Sequence, residues 1–570
     1  MQPERIVVKK VLRLSQISCK INHTKKDLEK AIRKALKCSD KISIDYSIVK
    51  QSIDARHKPD IYYVYSVDIY NYDILFHTKN FHINKAYKDA LCPIKNAVYT
   101  ELIDYVFPYT TKRNQSNQSQ TVLINPIHES ERPVIIGFGP AGMYAALMLA
   151  RAGLKPIVYE RGEAVTQRKE TVQHFWNTGV LNEESNVQFG EGGAGTFSDG
   201  KLNTGIKDTS GRIQEILKIF VQFGAPKEIL YQNKPHIGTD VLEHIVAGIR
   251  NKIIELGGEV YFNSKLSGLI IKKGVLNGIY IQDTKTQQLK EHACSQVCLA
   301  IGHSARDTLK MLNDAGCGMI PKSFAVGIRI EHPQSFINYN AYGDCIYKLP
   351  AADYKLTYQT KSKRGVYSFC MCPGGYVVNA SSEKNSIAVN GMSYSGRNSS
   401  NANSALIVTV PPNDFGTNPL DGILLQRQME QLAYQYGQKN IPIQLLGDFK
   451  ENKTSTGIGV VAPCIKGSYT MSNMNLILPK FVSDSLKEAI EYYDTKIKGF
   501  NMDEAILSGV ESRTSSPVKW IRDECGMATI KGLYPCGEGA GYAGGIISAA
   551  VDGIKTAEKM AQVYSLKKML

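Results

Sequence analysis

Three glycines in this chain of 570 residues have the spacing of a nucleotide-binding turn: Gly137, Gly139 and Gly142. In such a turn the first glycine allows a tight bend, the second lets the backbone approach a pyrophosphate, and the third lets a helix pack closely against the preceding strand. The phosphates then lie at the N-terminus of that helix, among unpaired amide groups and the positive end of the helix dipole. The spacing therefore predicts a dinucleotide site.

The residues around these glycines predict the elements that the turn needs. The apolar run 134–136 is typical of a buried parallel strand, and a small-residue helix and a second short strand ending at Glu160 follow it. A carboxylate about twenty residues beyond the turn can accept hydrogen bonds from both ribose hydroxyls, and it would repel a 2′-phosphate. We therefore expect an unphosphorylated adenine dinucleotide, either FAD or NAD.

A second glycine-rich turn favours FAD over NAD. Gly537, Glu538 and Gly541 follow a short apolar run and precede a small-residue helix. This arrangement resembles the second motif of the glutathione-reductase-like FAD fold, in which the acid hydrogen-bonds the ribityl chain and the helix N-terminus points at the flavin. The segment 297–304, which contains Gly302, resembles the strand-and-glycine motif through which the chain of that fold returns to its FAD domain.

Composition and charge exclude several other classes. The hydrophobic content of 43% is typical of a globular chain, and no run of eighteen apolar residues or signal peptide is visible. The twelve cysteines are scattered, as expected for reduced thiols, so we expect a cytoplasmic protein without a membrane span. The net charge is +15, and residues 1–115 hold 21 Lys and Arg against 12 Asp and Glu. That excess is either a solvated basic face or an RNA-binding face, although no short signature of an RNA-binding module is present.

The patterns along the chain predict an α/β protein with three domains. Residues 1–110 have a β-α-β-β order, the beginning of a small ferredoxin-like α+β domain, and residues 111–130 are a polar linker. A Rossmann-like, glutathione-reductase-like FAD-binding domain is expected over 131–323 and 521–570. An α+β insertion domain over 324–520 interrupts it.

Five segments resemble a specific family, the uncharacterised bacterial FAD-dependent dehydrogenases with a basic N-terminal domain: 176–180, 186–204, 368–378, 509–518 and 533–553. The resemblance implies FAD binding and a redox role. It implies that the pyrophosphate contacts Gly137, Gly139, Pro140, Ala141 and Gly142, and that the ribose contacts Glu160 and Arg161. It also implies that Arg168 contacts a phosphate and that the adenine contacts the backbone near Leu266. The residues that it implies on the flavin side are Gly193, Gly302, Gly537, Glu538, Gly544, Gly545 and Ile546.

The candidate catalytic residues each have a structural interpretation beside the functional one. Lys201 is either a positive charge near the flavin or a salt-bridged lysine, and Glu511 with Arg513 is either a substrate clamp or part of an ion pair that holds the insertion. His303 is more typical of a structural histidine. Cys370 and Cys372 form Cys-x-Cys and not the Cys-x-x-Cys of disulfide reductases, so they are either structural or redox-active. No cysteine or histidine spacing predicts a metal site.

These patterns leave three functions open. The first is hydride transfer through flavin N5 to or from a small or medium organic substrate bound between the FAD domain and the insertion domain. The second is an RNA-directed flavoprotein, and the third is an FAD-binding sensor without enzymatic activity. A second nucleotide fingerprint is not visible, so either NADH or NADPH binds transiently as an electron donor, or the electrons come from the substrate or another protein.

Overall fold

The structure is a computed structural model that describes residues 7–39, 41–72, 94–111, 121–124 and 127–566. Two compact units divide the chain. The smaller unit contains Met1–Val106, Lys207–Pro235 and Asn338–Ala352, and the larger unit contains Phe107–Ile206, His236–Ile337 and Asp353–Leu570. The smaller unit thus draws in two segments from the middle of the chain, which sequence patterns alone do not associate with residues 1–110.

An antiparallel sheet and a helix form the core of the smaller unit. Its strands are, in spatial order, Tyr46–His57, Asp60–Ile69, Val7–Lys20 and Ala97–Ile103. The helix Lys25–Leu36 begins with a capping box, in which Asp27 N donates to the Thr24 hydroxyl and the Asp27 carboxylate accepts from Thr24 N. Its residues Leu28, Ile32 and Leu36 are buried, as their helical spacing predicts.

The described residues of the smaller unit also include the helix Arg212–Gln222, the short 3₁₀ turn Lys227–Leu230 and the end of the helix Gln334–Tyr342. The spatial order of its strands is that of a ferredoxin-like sheet. The region 73–93, where the second helix of such a domain would fall, lies outside the described residues, so the ferredoxin-like fold remains a prediction. Most of the predicted linker, 112–120 and 125–126, also lies outside them.

A five-stranded parallel sheet organises the first half of the larger unit. Its strands are, in spatial order, Glu259–Tyr261, Ile157–Tyr159, Val134–Ile136, Val297–Leu299 and Leu533–Pro535. Numbered along the chain, this order is 3-2-1-4-5, which is the order of a Rossmann-like sheet. An antiparallel sheet of Ser264–Lys272, Val275–Asp283 and Leu289–Ala293 is inserted between its third and fourth strands.

A seven-stranded mixed sheet lies between the fourth and fifth strands in the chain. Its strands are, in spatial order, Thr357–Gln359, Gly365–Cys372, Asn401–Val410, Phe324–Pro333, Ile506–Glu511, Ile441–Leu445 and Tyr469–Met471. Shorter sheets pair Val389–Met392, Tyr376–Asn379 and Ile465–Lys466, then Met319–Pro321 and Val518–Trp520, then Tyr109–Thr110 and Val122–Leu123. The seven-stranded sheet lies within 324–520, and the assignment of this stretch as an insertion domain stays a prediction.

Helices cover these sheets. They are Pro140–Arg151, Val165–Thr178, Thr239–Glu255, Arg306–Asp314, Gln334–Tyr342, Asp421–Tyr436, Leu446–Lys450, Lys480–Asp494 and Ile546–Leu566. Four 3₁₀ turns accompany them: Glu129–Glu131, Gly193–Phe197, Pro412–Asp414 and Met474–Leu476. None of the helices in the described part of the chain is long and apolar enough to cross a membrane.

Candidate functional site

The glycine turn lies where the central strand of the parallel sheet meets the helix Pro140–Arg151. Gly137 has a φ of +94°, and a Cβ there would lie 2.4 Å from the carbonyl oxygen of Ala300, the residue that follows the neighbouring strand. A Cβ on Gly142 would lie 1.9 Å from the carbonyl oxygen of Gly137. Both glycines are therefore required by close backbone approaches, in the manner that their spacing predicts.

Gly139 differs from these two glycines because open space lies beside it. A Cβ there would meet only Gly193, at 3.6 Å from its Cα atom. Gly139 is the N-cap of the helix and Pro140 its first residue, so no side chain caps the helix N-terminus. The free volume and the uncapped amides, Ala141 among them, form a cradle for an anionic group.

Glu160 ties the second strand to the glycine turn and to the segment 186–204. Its Oε2 accepts a hydrogen bond from Phe138 N at 2.7 Å, and its Oε1 accepts from Gly162 N at 3.0 Å and from Gly190 N at 2.9 Å. The side chain is buried. The carboxylate is thus fixed by three backbone amides beside the glycine turn, and its contact with a ribose stays a prediction.

The two arginines expected at the cofactor have protein partners. Arg161 stacks over the ring of Phe189 and donates to the carboxylates of Glu184 and Asp307. Arg168 is fully buried and donates to the carbonyl oxygens of Asn186, Val187 and Glu191. Burial lowers the pKa of Arg168 to about 10, so it remains a cation at neutral pH. Its observed role is to hold the backbone of the glycine-rich segment, and its contact with a phosphate stays a prediction.

Lys201 follows the glycine-rich segment and is salt-bridged, as its structural interpretation predicts. Its Nζ lies 2.9 Å from Asp199 and also donates to the carbonyl oxygen of Met371. Burial favours the neutral amine, but the Asp199 carboxylate outweighs it and raises the pKa of Lys201. Asp199 itself is fully buried and also pairs with Arg397. Lys201 therefore links this segment to the second strand of the seven-stranded sheet.

The C-terminal turn packs directly onto the first two motifs. A Cβ on Gly537, which has a φ of +74°, would lie 2.7 Å from Cβ of Ala141, and one on Gly539 would lie 2.4 Å from the carbonyl oxygen of Gly302. Gly544 and Gly302 have nothing within 4 Å of an added Cβ, and the side chain of Ile546 contacts Gly195. The three motifs thus converge around unfilled space.

Glu538 lies beside His303 in this convergence. Its Oε1 is 3.4 Å from His303 Nδ1, and 27% of its side chain is exposed. Burial raises the pKa of Glu538 to about 7, whereas burial together with the nearby Arg513 and Arg306 lowers the pKa of His303 to about 3. His303 is therefore a neutral, buried histidine at physiological pH, and Glu538 is poised to hold or release a proton near neutrality.

Two further predicted positions lie at the margin of these motifs. The side chain of Leu266 is buried in the core formed by the parallel and antiparallel sheets. Gly545, next to Gly544, is exposed before the helix Ile546–Leu566. The backbone contact of Leu266 with an adenine, and that of Gly545 with the flavin, stay predictions.

Glu511 and Arg513 do not pair with each other, and a substrate clamp formed by them stays a prediction. Glu511 accepts a hydrogen bond from Arg329 Nε at 2.9 Å, whereas Arg513 donates to Glu430. The carboxylate of Glu430 also accepts hydrogen bonds from both terminal nitrogens of Arg306, a residue that precedes the predicted insertion in the chain. Arg513 therefore joins a buried ion network that links it to Arg306 through Glu430, because a buried cation requires a compensating charge. That this network holds an insertion domain against the FAD-binding domain stays a prediction.

Sequence analysis missed Arg329, whose guanidinium lies fully buried within the strand Phe324–Pro333. Besides Glu511, it donates to the side-chain oxygens of Asn403 and Asn390. Lys322 was also missed: its Nζ donates to the carbonyl oxygen of Gly541 at 3.1 Å. An arginine directly after the apolar run 324–328 is the signal that could have revealed the first, since a buried charge must be paired.

The residues of the three motifs fit an adenine dinucleotide. The cradle at Gly139 is unfilled, the helix N-terminus is uncapped, and added carbons at Gly302 and Gly544 would enter open space. These positions surround the carboxylates of Glu160 and Glu538, one in each glycine motif. No group of three or more His, Cys, Asp or Glu side chains that could hold a metal ion occurs within the described ranges.

Comparisons with known proteins support an FAD-dependent family. Residues 323–514 match the family model "FAD-dependent protein, C-terminal domain-like", and residues 11–70 match a domain of unknown function, DUF8436. An uncharacterized protein of Clostridium beijerinckii is 47% identical over 565 residues, which are 98% of this chain and 100% of the relative.

Solved flavoprotein structures are more distant. A glycerol-3-phosphate dehydrogenase from Bacillus halodurans complexed with FAD is 11% identical with a TM-score of 0.35, over 76% of this chain and 65% of that one. A quinol fumarate reductase from E. coli is 12% identical with a TM-score of 0.36, over 77% of this chain and 71% of that one. Likenesses of this size carry no argument about substrate or reaction.

Proposed function

Since the chain belongs to a family of FAD-dependent proteins that includes the Clostridium beijerinckii relative, we propose that it is an oxidoreductase that transfers hydride through flavin N5 to or from a small or medium organic substrate. The bound FAD supplies the hydride acceptor or donor. The protein binds and orients the cofactor, and it holds the substrate between the FAD-binding domain and the seven-stranded sheet.

The chain's own residues have three tasks in this proposal. Gly137, Gly139 and the uncapped helix N-terminus hold the pyrophosphate, and Glu160 holds the ribose. Arg168 keeps the glycine-rich segment against the cofactor by holding its carbonyl groups. Glu538, with its pKa raised to about 7, exchanges a proton near the ribityl chain at neutral pH.

One observation supports the position of the substrate above all. Lys201, at the end of the glycine-rich segment, donates to the carbonyl oxygen of Met371 in the seven-stranded sheet. The adjoining Cys370 is close enough to Glu538 for their charges to interact. Polar groups of the sheet and of two FAD motifs therefore meet in one place, and sites between domains are where small ligands bind most often.

We extend the proposal to the domain organisation. The five predicted stretches, 1–110, 111–130, 131–323, 324–520 and 521–570, describe a ferredoxin-like domain, a linker, and an FAD-binding domain interrupted by the substrate-carrying insertion. The ferredoxin-like assignment is supported by the order of the four described strands.

An anaerobic absorbance spectrum with stepwise addition of NADH and then NADPH tests the proposed activity. We expect the flavin absorbance bands to be bleached by NADH or by NADPH. If neither nicotinamide bleaches them, we expect a reductant from a panel of small organic molecules to do so. Flavin bands that no donor but dithionite bleaches would contradict the enzymatic function. A matched apoprotein, stripped of flavin and reconstituted with FAD, controls for loss of the cofactor during purification.

A further inference from the structure

The strand Gly365–Cys372 contains a β-bulge at its two cysteines. Phe369 pairs with Ala405 and Cys372 pairs with Asn403 on the neighbouring strand, so the cysteine strand has one extra residue between these pairs. Cys370 has a φ of +42°, which is a left-handed backbone conformation that is rare for residues other than glycine, asparagine and aspartate. Such strain is concentrated at functional sites, where the surrounding structure must hold it in place.

The bulge brings the two thiols together. The Cys372 sulfur lies 3.1 Å from the carbonyl oxygen of Cys370, and the two side chains hydrogen-bond each other. Cys372 is fully buried, whereas Cys370 is partly exposed. Cys370 is thus the less buried residue of the pair, an arrangement that suits an attacking thiol at Cys370 and a resolving thiol at Cys372.

Two cations hold the bulge in place. The guanidinium of Arg329 lies 3.3 Å from the carbonyl oxygen of Cys370, and Lys201 donates to that of Met371. Both cations stabilise a thiolate at Cys370 electrostatically. They act from opposite sides, Arg329 from the interior of the seven-stranded sheet and Lys201 from the glycine-rich FAD segment.

The same bulge is electrostatically linked to the second FAD motif. Burial raises the pKa of Glu538, and a negative charge on Cys370 adds to that effect. The bulge therefore lies within electrostatic reach of a residue that the FAD site contains.

We propose that Cys370 and Cys372 are a redox-active dithiol–disulfide pair that exchanges two electrons with the bound FAD. In one direction the reduced flavin loses two electrons and two protons, the S–S bond breaks, and two S–H bonds form. In the other direction the two thiols lose two electrons and two protons to oxidised flavin, and the S–S bond forms. This inference rests on the proposed flavoenzyme function and names a dithiol or disulfide as the chemical class of the second redox partner.

A second thiol pair in the described chain provides an internal comparison. Cys298 and Cys536 also hydrogen-bond each other, but both are fully buried in the parallel sheet, and burial raises the pKa of Cys536 well above its ordinary value. A thiol in such surroundings is inert. The proposal therefore requires oxidation at Cys370 and Cys372 without oxidation at Cys298 and Cys536.

Mass spectrometry of the alkylated protein tests this directly. The tryptic peptide 365–384 contains Cys370 and Cys372 and no other cysteine. In air-oxidised holoprotein we expect the peptide to be two hydrogens lighter and unalkylated, and after anaerobic reduction of the flavin we expect it to carry two alkyl groups. Two alkyl groups in both states, or a single added oxygen on one sulfur, would overturn the proposal, and so would equal oxidation of Cys298 and Cys536.

Dithionite titration gives a second readout that does not depend on activity. Wild-type holoprotein should consume four electrons per flavin, whereas Cys370→Ser and Cys372→Ser should each consume two, because only the flavin remains to be reduced. Cys525→Ser, at an exposed cysteine remote in sequence, should behave as wild type. Two outcomes together refute the pair. Wild type takes up only two electrons per flavin, and peptide 365–384 from the same preparation can be fully alkylated both as purified and after treatment with oxidised glutathione.

The two proposals fail in distinguishable ways. Dithionite reduces the flavin whatever the physiological donor is, so the cysteine pair is tested even if neither nicotinamide bleaches the flavin. If the flavin accepts electrons from a donor but the cysteines stay reduced, the redox pair is wrong and the oxidoreductase stands. If the variants fold poorly, the alkylation of the wild-type peptide still decides.

Discussion

The Oε1 atom of Glu160 accepts a hydrogen bond from the backbone N–H of Gly190 at 2.9 Å, and this bond joins the second strand of the parallel sheet to the glycine-rich segment. The same carboxylate accepts from Phe138 N in the glycine turn. A single side chain thus fixes the relative position of two loops that both belong to the predicted FAD site.

Glu160→Gln should weaken both the fold and FAD binding. The amide group of glutamine presents an N–H₂ where one carboxylate oxygen accepts hydrogen bonds, so buried amide donors lose their acceptor. We expect the free energy of unfolding of the apoprotein to fall by about 1–3 kcal/mol and the FAD dissociation constant to rise. Urea unfolding and flavin fluorescence measure the two effects. Glu170→Gln, the same change at an exposed position, is the control, and equal behaviour of the two variants would contradict this role.

Gly139→Ala should separate cofactor binding from folding. Its Cβ would meet only Gly193, at an ordinary contact distance of 3.6 Å, so the apoprotein should unfold at the wild-type temperature. The methyl group would occupy the cradle, and we expect FAD to bind at least about tenfold more weakly, equivalent to about 1.4 kcal/mol. Thermal unfolding of the apoprotein and equilibrium FAD titration test this. Gly205→Ala, where nothing lies within 4 Å, should leave both values unchanged.

Glu430→Gln should strongly destabilise the larger unit. Glu430 is fully buried between Arg306 and Arg513, and although burial alone would raise its pKa, these two cations hold it far below the ordinary value of 4.5. Removing the charge leaves Arg306 with only the Glu383 carboxylate and Arg513 without its carboxylate partner, and breaking a buried pair costs about 3–5 kcal/mol.

Because the folded-state pKa of Glu430 is lowered, its contribution is complete above about pH 4.5 and is lost as the pH falls toward the folded pKa. The difference between wild type and Glu430→Gln should therefore shrink in acid. Urea unfolding at pH 7 and pH 4 measures it. Glu383→Gln, which removes a half-exposed partner of Arg306, should cost much less, and a pH-independent difference for Glu430→Gln would be inconsistent with this argument.

Alkylation of Cys370 should reach its full rate at unusually low pH. The hydrogen bond from Cys372, with Arg329 and Lys201, lowers the pKa of Cys370 to about 6, against burial and the opposing charges of Asp199, Glu511 and Glu538. The rate should therefore be half-maximal near pH 6. Cys372→Ala removes the largest of these causes and should shift the midpoint upward. The rate of the iodoacetamide reaction, followed on peptide 365–384 between pH 5 and 9, gives the midpoint for each protein. A midpoint that is the same in Cys372→Ala as in wild type would count against the hydrogen bond.

The cofactor motifs could be predicted from the sequence because each is local. Gly137 and Gly142 act on backbone atoms a few residues away, and Glu160 follows at a spacing that the βαβ unit fixes. The pairing of Arg329 with Glu511 could not be predicted, since these residues are 182 positions apart and only the sheet register brings them together.

Other features depend on packing that periodicity does not encode. The spacing of apolar residues predicts the helix Arg212–Gln222, but it does not indicate that this helix belongs to the smaller unit. No pattern around Cys370 and Cys372 reveals the left-handed conformation of Cys370. The partners of Glu511 and Arg513 lie on other elements, which the spacing of these two residues does not indicate.

The position of the strand Leu533–Pro535 has a consequence for biosynthesis. This strand completes the parallel sheet beside Val297–Leu299, and the helix after it packs on the first glycine helix, where Gly553 contacts the carbonyl oxygen of Ala141. On the ribosome, the first glycine turn emerges long before these partners are translated. FAD can therefore be captured only after synthesis is nearly finished, and the nascent chain must protect the edge of an incomplete sheet until then.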